Sequence, residues 1–328
     1  MRPLTVHPSR AIDGGRIAIS GGDFPIDHDQ LPIVHVGDKR ARVVFASPSR
    51  LDVIVPAGLA PCGLVPVRVG AASQDAAAVE IAATFAAGLH QVDSPIFDRE
   101  GNLYVTYSGT RGQQVPVSVF RVRPNGTRET FSSGVVNPTS MAIDTDGRIY
   151  MSSRFEGTVY RLMPDGSVEP FATDLGVACG LAFSWDGTLF VGDRSGTIFS
   201  VNRNGRATAF ASLPPSVAAF HLAVGPERAL YVTGPTLSTY DVVYRIDEQG
   251  TVGVHSQLFG RPQGLAFDAA GTLFVVEALA GASGVYRLGA GEPELVLTGP
   301  GLVGLAFDGY GGLVVCTNDT AFRLPGSI

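Results

Sequence analysis

The stretch Leu181-Ala-Phe-Ser-Trp-Asp-Gly187-Thr-Leu-Phe-Val191 decides how the rest of the chain is read. Two short apolar runs flank a polar turn that ends on glycine, the pattern of a β-hairpin. The same phrase recurs as Pro95-Ile-Phe-Asp-Arg-Glu-Gly101-Asn-Leu-Tyr-Val and as Met141-Ala-Ile-Asp-Thr-Asp-Gly147-Arg-Ile-Tyr-Met. A degenerate copy reads Leu222-Ala-Val-Gly-Pro-Glu-Arg228-Ala-Leu-Tyr-Val. Two more copies are Leu265-Ala-Phe-Asp-Ala-Ala-Gly271-Thr-Leu-Phe-Val and Leu305-Ala-Phe-Asp-Gly-Tyr-Gly311-Gly-Leu-Val-Val. The turn positions 101, 147, 187, 228, 271 and 311 are 46, 40, 41, 43 and 40 residues apart. A repeat of that length with two hairpins per copy is one four-stranded blade. The second hairpin is marked by Asn125-Gly126, Asp165-Gly166 and Asn204-Gly205, dipeptides that supply the positive φ angles of tight turns.

Six copies predict six blades, since one blade cannot bury both of its faces alone. The last copy ends one strand short, after Ala321-Phe322-Arg323-Leu324. Residues 79–86 are expected to supply the missing strand by pairing with 321–325, closing the ring and hiding both edges. A short Ala-rich helix over 76–87 is the rival reading. Upstream, short alternating segments such as Arg16-Ile-Ala-Ile-Ser and Leu51-Asp-Val-Ile-Val predict a β-sandwich. The expected fold is therefore all-β. An immunoglobulin-like sandwich (residues 1–78) precedes a six-bladed β-propeller (residues 79–328) closed by its own N-terminal strand, with a linker over 71–78.

Composition agrees and excludes several functions. The 328 residues include 41 Gly and 22 Pro but only 16% charged residues, which favours many short strands and turns over amphipathic helices. Residues 1–78 carry eight Lys/Arg against seven Asp, while the remainder carries 16 Arg against 23 Asp/Glu. An acidic repeat region without basic runs repels phosphate backbones, so nucleic acid is not an expected partner. No apolar run is long enough to predict a membrane span. The N-terminus lacks the apolar core of a signal peptide, so the expected location is the cytoplasm, or outside it if a leader has been removed. Three scattered cysteines (Cys62, Cys179, Cys316) read as small buried hydrophobes. Gly299-Pro-Gly301-Leu-Val-Gly304 precedes a strand instead of opening a helix and is read as a loop, not as a dinucleotide site.

The repeats resemble NHL-type blades and the wider six-bladed family of SMP-30, gluconolactonase and related lactonases. Residues 1–78 are similar to the IPT/TIG module, through Gly14-Gly15, Ile17-Ala-Ile-Ser-Gly-Gly-Asp-Phe24 and Leu51-Asp-Val-Ile-Val-Pro56. In such a propeller, innermost-strand starts and second-strand ends open on one face around the channel. By register these are Asp93, Thr139, Cys179, Phe220, Gln263 and Val303, then Tyr107, Ser153, Asp193, Gly234, Glu277 and Thr317. The candidate ligand-binding set at this mouth is Asp93, Tyr107, Arg154, Cys179, Asp193, Arg194, Phe220, His221, Gln263, Glu277 and Asn318.

The lactonase resemblance implies a divalent metal, calcium or a similar cation, held by oxygen ligands at the mouth. Its first ligand, a Glu in Glu-Gly-Pro, matches Asp93-Ser94-Pro95 here, but its Asn falls on Phe220 and its Asp on Gln263. Asp93 is thus the one candidate metal ligand, and no catalytic residue or cofactor is expected. His221 reads either as a packed side chain or as a polar contact or general base for a channel ligand. Asp193 and Glu277 with Arg154 and Arg194 read as solvated loop residues, ligand contacts or an ion-pair ring. The leading expectation is a monomeric, non-enzymatic scaffold whose mouth binds a small molecule, glycan or protein segment. The alternatives are a lactone or ester hydrolase with a degenerate metal site, and purely structural adhesion.

Overall fold

The computed structural model describes residues 3–21, 23–26, 31–59, 63–70 and 77–324; Cys62 and most of the expected linker lie outside them. The described residues are all β, without a helix, in a β-propeller arrangement. The first unit comprises Ile96–Phe97, Leu103–Thr106, Val119–Val122 and Arg128–Ser132. The second comprises Pro138–Ile143, Ile149–Ser153, Thr158–Leu162 and Val168–Ala172. Ala178–Phe183, Leu189–Asp193, Thr197–Val201 and Ala207–Ser212 make the third; His221–Val224, Leu230–Thr233, Asp241–Ile246 and Val252–Phe259 make the fourth. Pro262–Phe267, Leu273–Glu277, Gly284–Leu288 and Glu294–Thr298 follow, and then Leu302–Phe307, Leu313–Thr317 and Thr320–Leu324. The first strands of these units touch in chain order, and the last touches the first.

The expectation of six separate blades is corrected to five separate four-stranded sheets. The unit over 262–298 is continuous with the N-terminal strands, because Arg10–Ala11 inserts in parallel between Thr298 and Glu80–Ile81. The amide of Ile12 donates to the Thr298 carbonyl at 3.0 Å and extends the join. No separate immunoglobulin-like sandwich is identified either. The long strand Lys39–Ser47 pairs with Val34–Val36 through its first residues and with Arg50–Ile54 through its last, which makes the strand order continuous. These N-terminal strands nevertheless enclose a core of their own, with Ile17, Ile19, Leu51, Val53, Val67 and Val79 fully buried.

Ring closure uses a shorter strand than expected. Ala83–Ala87 pairs antiparallel with Thr320–Leu324, in the register Thr320↔Ala87 and Arg323↔Ala83. Residues 77–81 instead pair with 63–67, so the expected closing strand 79–86 is divided at Ala82 between two sheets. Neither half is helical: alternating burial on both sides favours strand over the intrinsic helix propensity of alanine.

Local chemistry explains the repeat. Asp98, Asp144, Asp268 and Asp308 each accept from the amides two and four residues on, at 2.7–2.9 Å, which caps the first turn of the unit. The second hairpin differs from expectation. Only the glycine of each Asn-Gly or Asp-Gly pair has positive φ, as in a type I turn followed by a left-handed residue. Those glycines also mediate contact between units. A Cβ on Gly205 would lie 1.9 Å from the Phe171 carbonyl oxygen, and one on Gly166 2.0 Å from that of Phe131. In both cases the phenylalanine belongs to the outer strand of the preceding unit. Gly205→Ala should therefore cost about 2–4 kcal/mol in chemical denaturation. Gly147→Ala, where a Cβ meets nothing within 4 Å, should cost only about 1 kcal/mol. Equal losses would contradict the packing role of Gly205.

Candidate functional site

One end of the central channel opens into a cavity of about 310 Å³. Of the expected mouth residues, Arg154, Cys179, Arg194, Gln263 and Asn318 line it, as does Val303. The opposite end is a second cavity of about 350 Å³ with mostly apolar walls, including Leu181, Leu222, Leu265 and Leu305. Asp93 lines that second cavity, Gln263 lines the first, and His221 joins the two residues. His221 Nδ1 is 2.5 Å from Asp93 Oδ1, and its Nε2 is 3.3 Å from Gln263 Oε1. His221 is 1% exposed, Asp93 4% and Gln263 9%, so this polar cluster forms a buried partition across the channel. Asp93 also accepts from the Ser94 amide at 2.6 Å, and Gln263 is fixed through its backbone carbonyl by Thr233 Oγ1 at 2.5 Å. Nδ1 of His221 thus faces a carboxylate, which orients the ring, and its Nε2 is directed at the Gln263 side of the partition.

Four expected mouth residues lie elsewhere. Phe220 is fully buried in the apolar core between the third and fourth units. Its ring lies where a Cβ on Gly234 would come within 2.5 Å, so glycine at 234 makes room for it. Tyr107 packs edge-on against Phe120 and beside His90, away from the cavity lining. Asp193 and Glu277 are buried and bind backbone. Asp193 Oδ1 accepts from the Val177 amide at 2.8 Å. Glu277 accepts from the amides of Gly260, Arg261 and Leu279 at 2.6, 2.9 and 2.6 Å. Both carboxylates therefore fasten the loops that lead into neighbouring first strands.

The ion-pair ring is corrected by the same geometry. Among the described residues, no carboxylate lies within 4.0 Å of the guanidinium groups of Arg154, Arg194 or Arg261. Arg194 Nε donates to the Ser216 carbonyl at 3.1 Å, which leaves its charge uncompensated. Burial, with Arg194 and Arg111 nearby, pulls the pKa of Arg154 below its ordinary value. Cys179 is buried beside it, and that burial pushes its thiol up to about 12, so it is inert at neutral pH. Among the described residues, no group of three or more His, Cys, Asp or Glu side chains is arranged to hold a metal ion. Asp93 is the single carboxylate of the partition, and its Oδ1 is already engaged by His221 and Ser94.

Sequence reasoning missed Gln91, Val177, Ala218 and Arg261, which line the mouth cavity. All four sit two residues before a position that the repeat register gives as an innermost-strand start. The repeat register contained that signal: Asp93, Cys179, Phe220 and Gln263 each have a partner at minus two.

No family model and no curated protein matches the sequence. Solved structures do resemble it in fold. A gluconolactonase-like protein superimposes with a TM-score of 0.60 at 17% identity, over 74% of this chain and 90% of its own. An auxiliary nutrient binding protein from Bacteroides ovatus gives 0.56 at 14% identity, over 98% and 97%. A catalytically inactive virginiamycin B lyase from Staphylococcus aureus, solved with quinupristin, gives 0.56 at 15%, over 94% and 98%. At these identities the likeness shows the fold alone.

Glu277→Ala should cost about 1–3 kcal/mol and speed amide exchange at Gly260, Arg261 and Leu279, because it strands three amides at once. Arg194→Ala should change stability by no more than about 0.5 kcal/mol. A large loss from Arg194→Ala would restore the ion-pair ring.

Proposed function

We propose that this chain is a non-enzymatic binding module that takes a small molecule at the channel mouth. The observation that carries the reading is three arginines around a cavity of about 310 Å³ without a carboxylate partner among the described residues. Positively charged groups gathered without compensation cost stability unless a ligand or solvent neutralises them, and a concave site with few polar groups is where ligands are held. Asp193 and Glu277, the buried carboxylates beside Arg194 and Arg261, bind loop amides instead of the guanidinium groups. A small molecule fits such a cavity better than a glycan chain or a protein segment. The architecture proposed with it is one six-bladed ring, the fused unit serving as the fifth blade. Residues 1–78 form a first domain of IPT/TIG type that spaces or docks the propeller of residues 79–328.

The hydrolase reading draws support from the gluconolactonase-like fold and from the buried carboxylate of Asp93. It needs further oxygen ligands, and the geometry offers Asp93 a histidine instead.

Two measurements separate these readings. The first is metal analysis of the purified protein, with calcium titration calorimetry on wild type and Asp93→Ala. We expect no stoichiometric metal and no heat; bound metal lost in the variant would favour the hydrolase and justify a lactone screen. The second is a thermal-shift screen of small metabolites against wild type and Ala218→Trp, which fills the cavity. Hits should stabilise wild type and fail with the variant. Equal shifts in both would move binding away from the mouth.

A further inference from the structure

Resting on the mouth as the binding site, we infer that its ligand is a small organic anion: a carboxylate with an apolar body and a hydroxyl or amine hydrogen-bond donor. The inference joins three features that the fold alone does not require.

The first is charge. Arg154, Arg194 and Arg261 come from three different units and converge on one cavity. Arg154 is half-buried, while Arg194 and Arg261 are exposed at the rim; planar guanidinium forks match a carboxylate in two parallel hydrogen bonds. The Arg261 backbone amide is held by Glu277 at 2.9 Å, which fixes the point from which its exposed side chain reaches the cavity.

The second is the remaining wall. Val92, Val177, Val217, Ala218, Ala219 and Val303 supply apolar surface to the same cavity. A fully hydrated inorganic anion gains nothing from that surface, whereas a carboxylate with a short hydrocarbon part buries against it. The volume corresponds to roughly ten waters at about 30 Å³ each, which limits the ligand to a small molecule.

The third is an unused acceptor. Gln91 lines the cavity and is only 1% exposed. Its Nε2 donates to the Asp93 carbonyl, and its own backbone carbonyl accepts from Asn318 Nδ2 at 2.9 Å. Its Oε1 is buried without any hydrogen-bond partner. The opposite amide orientation would set two oxygens against each other at Asp93, so the orphan is the acceptor. A buried acceptor left unpaired costs stability, and a turn of the Gln91 side chain into the cavity would let a hydroxyl or ammonium group on the ligand satisfy it.

The test is calorimetric titration of the full chain with four probes: hexanoate, 2-hydroxyhexanoate, the neutral hexanamide and inorganic phosphate. Ala218→Trp, Arg154→Gln and Gln91→Leu accompany wild type, and each variant is first checked for an unchanged melting transition. The expected order is 2-hydroxyhexanoate, then hexanoate, with hexanamide and phosphate much weaker. Arg154→Gln should weaken both carboxylates by about 10- to 100-fold. Gln91→Leu should abolish the preference for the hydroxylated probe while leaving hexanoate nearly unaffected. Binding of hexanamide as tight as hexanoate, lost in Ala218→Trp, would overturn the anion and leave the mouth as the site. Carboxylate binding that survives Ala218→Trp would overturn both. No saturable binding of either carboxylate would overturn the anion, and the metabolite screen then decides the mouth separately. Phosphate binding tighter than either carboxylate would replace the carboxylate with a phosphoryl group.

Discussion

The contact on which this propeller depends is a backbone carbonyl of one unit seated against a turn glycine of the next. The carbonyls of Phe131, Phe171 and Phe210 meet Gly166, Gly205 and Gly250 in this way, and that of Phe85 meets Gly126. Phe85 lies on the strand that completes the last unit, so the contact to Gly126 carries the packing across the closure. A side chain at these turns would push adjacent sheets apart, and the first strands could not converge on a common channel. Everything at the mouth inherits that constraint. Arg154, Arg194 and Arg261 sit on separate units and meet only because the units pack at a fixed spacing.

Most of this architecture was legible because it is periodic. The spacing of Gly101, Gly147, Gly187, Gly271 and Gly311 marks the first hairpins, and the aspartate three residues before most of them caps the same turn. The closing strand was also readable from its likeness to other outer strands, although its start was not. Ala77–Ile81 and Ala83–Ala87 are both alanine-rich, and no local signal says that one pairs backward with Gly63–Val67 and the other across the chain with Thr320–Leu324. The fusion of the 262–298 unit with the N-terminal strands was equally hidden. It rests on a two-residue strand, Arg10–Ala11, too short to register as a pattern.

The site was half legible. Register put Arg154, Cys179, Arg194, Gln263 and Asn318 at strand ends around the channel, and all five line the mouth cavity. It failed for Phe220, whose side chain turns into the core where glycine at 192 and 234 leaves room. It failed too for Asp193 and Glu277. Charge complementarity suggested arginine partners, yet buried carboxylates were needed to satisfy loop amides. That substitution of roles matters most for function. Had the two carboxylates paired with arginines, one uncompensated positive charge would remain at the mouth instead of three. Because they bind backbone, the same residues position the positive charge and leave it free.

The partition of Asp93, His221 and Gln263 then separates an arginine-lined mouth from a mostly apolar far end, which leaves the channel one charged face. The most direct test of this account is a crystal structure of the protein soaked with a hit from the metabolite screen. The account predicts ordered ligand in the mouth, with an acidic group within hydrogen-bond distance of at least two of Arg154, Arg194 and Arg261. Ligand bound in the far cavity or between outer strands, with the mouth holding only solvent, would contradict it.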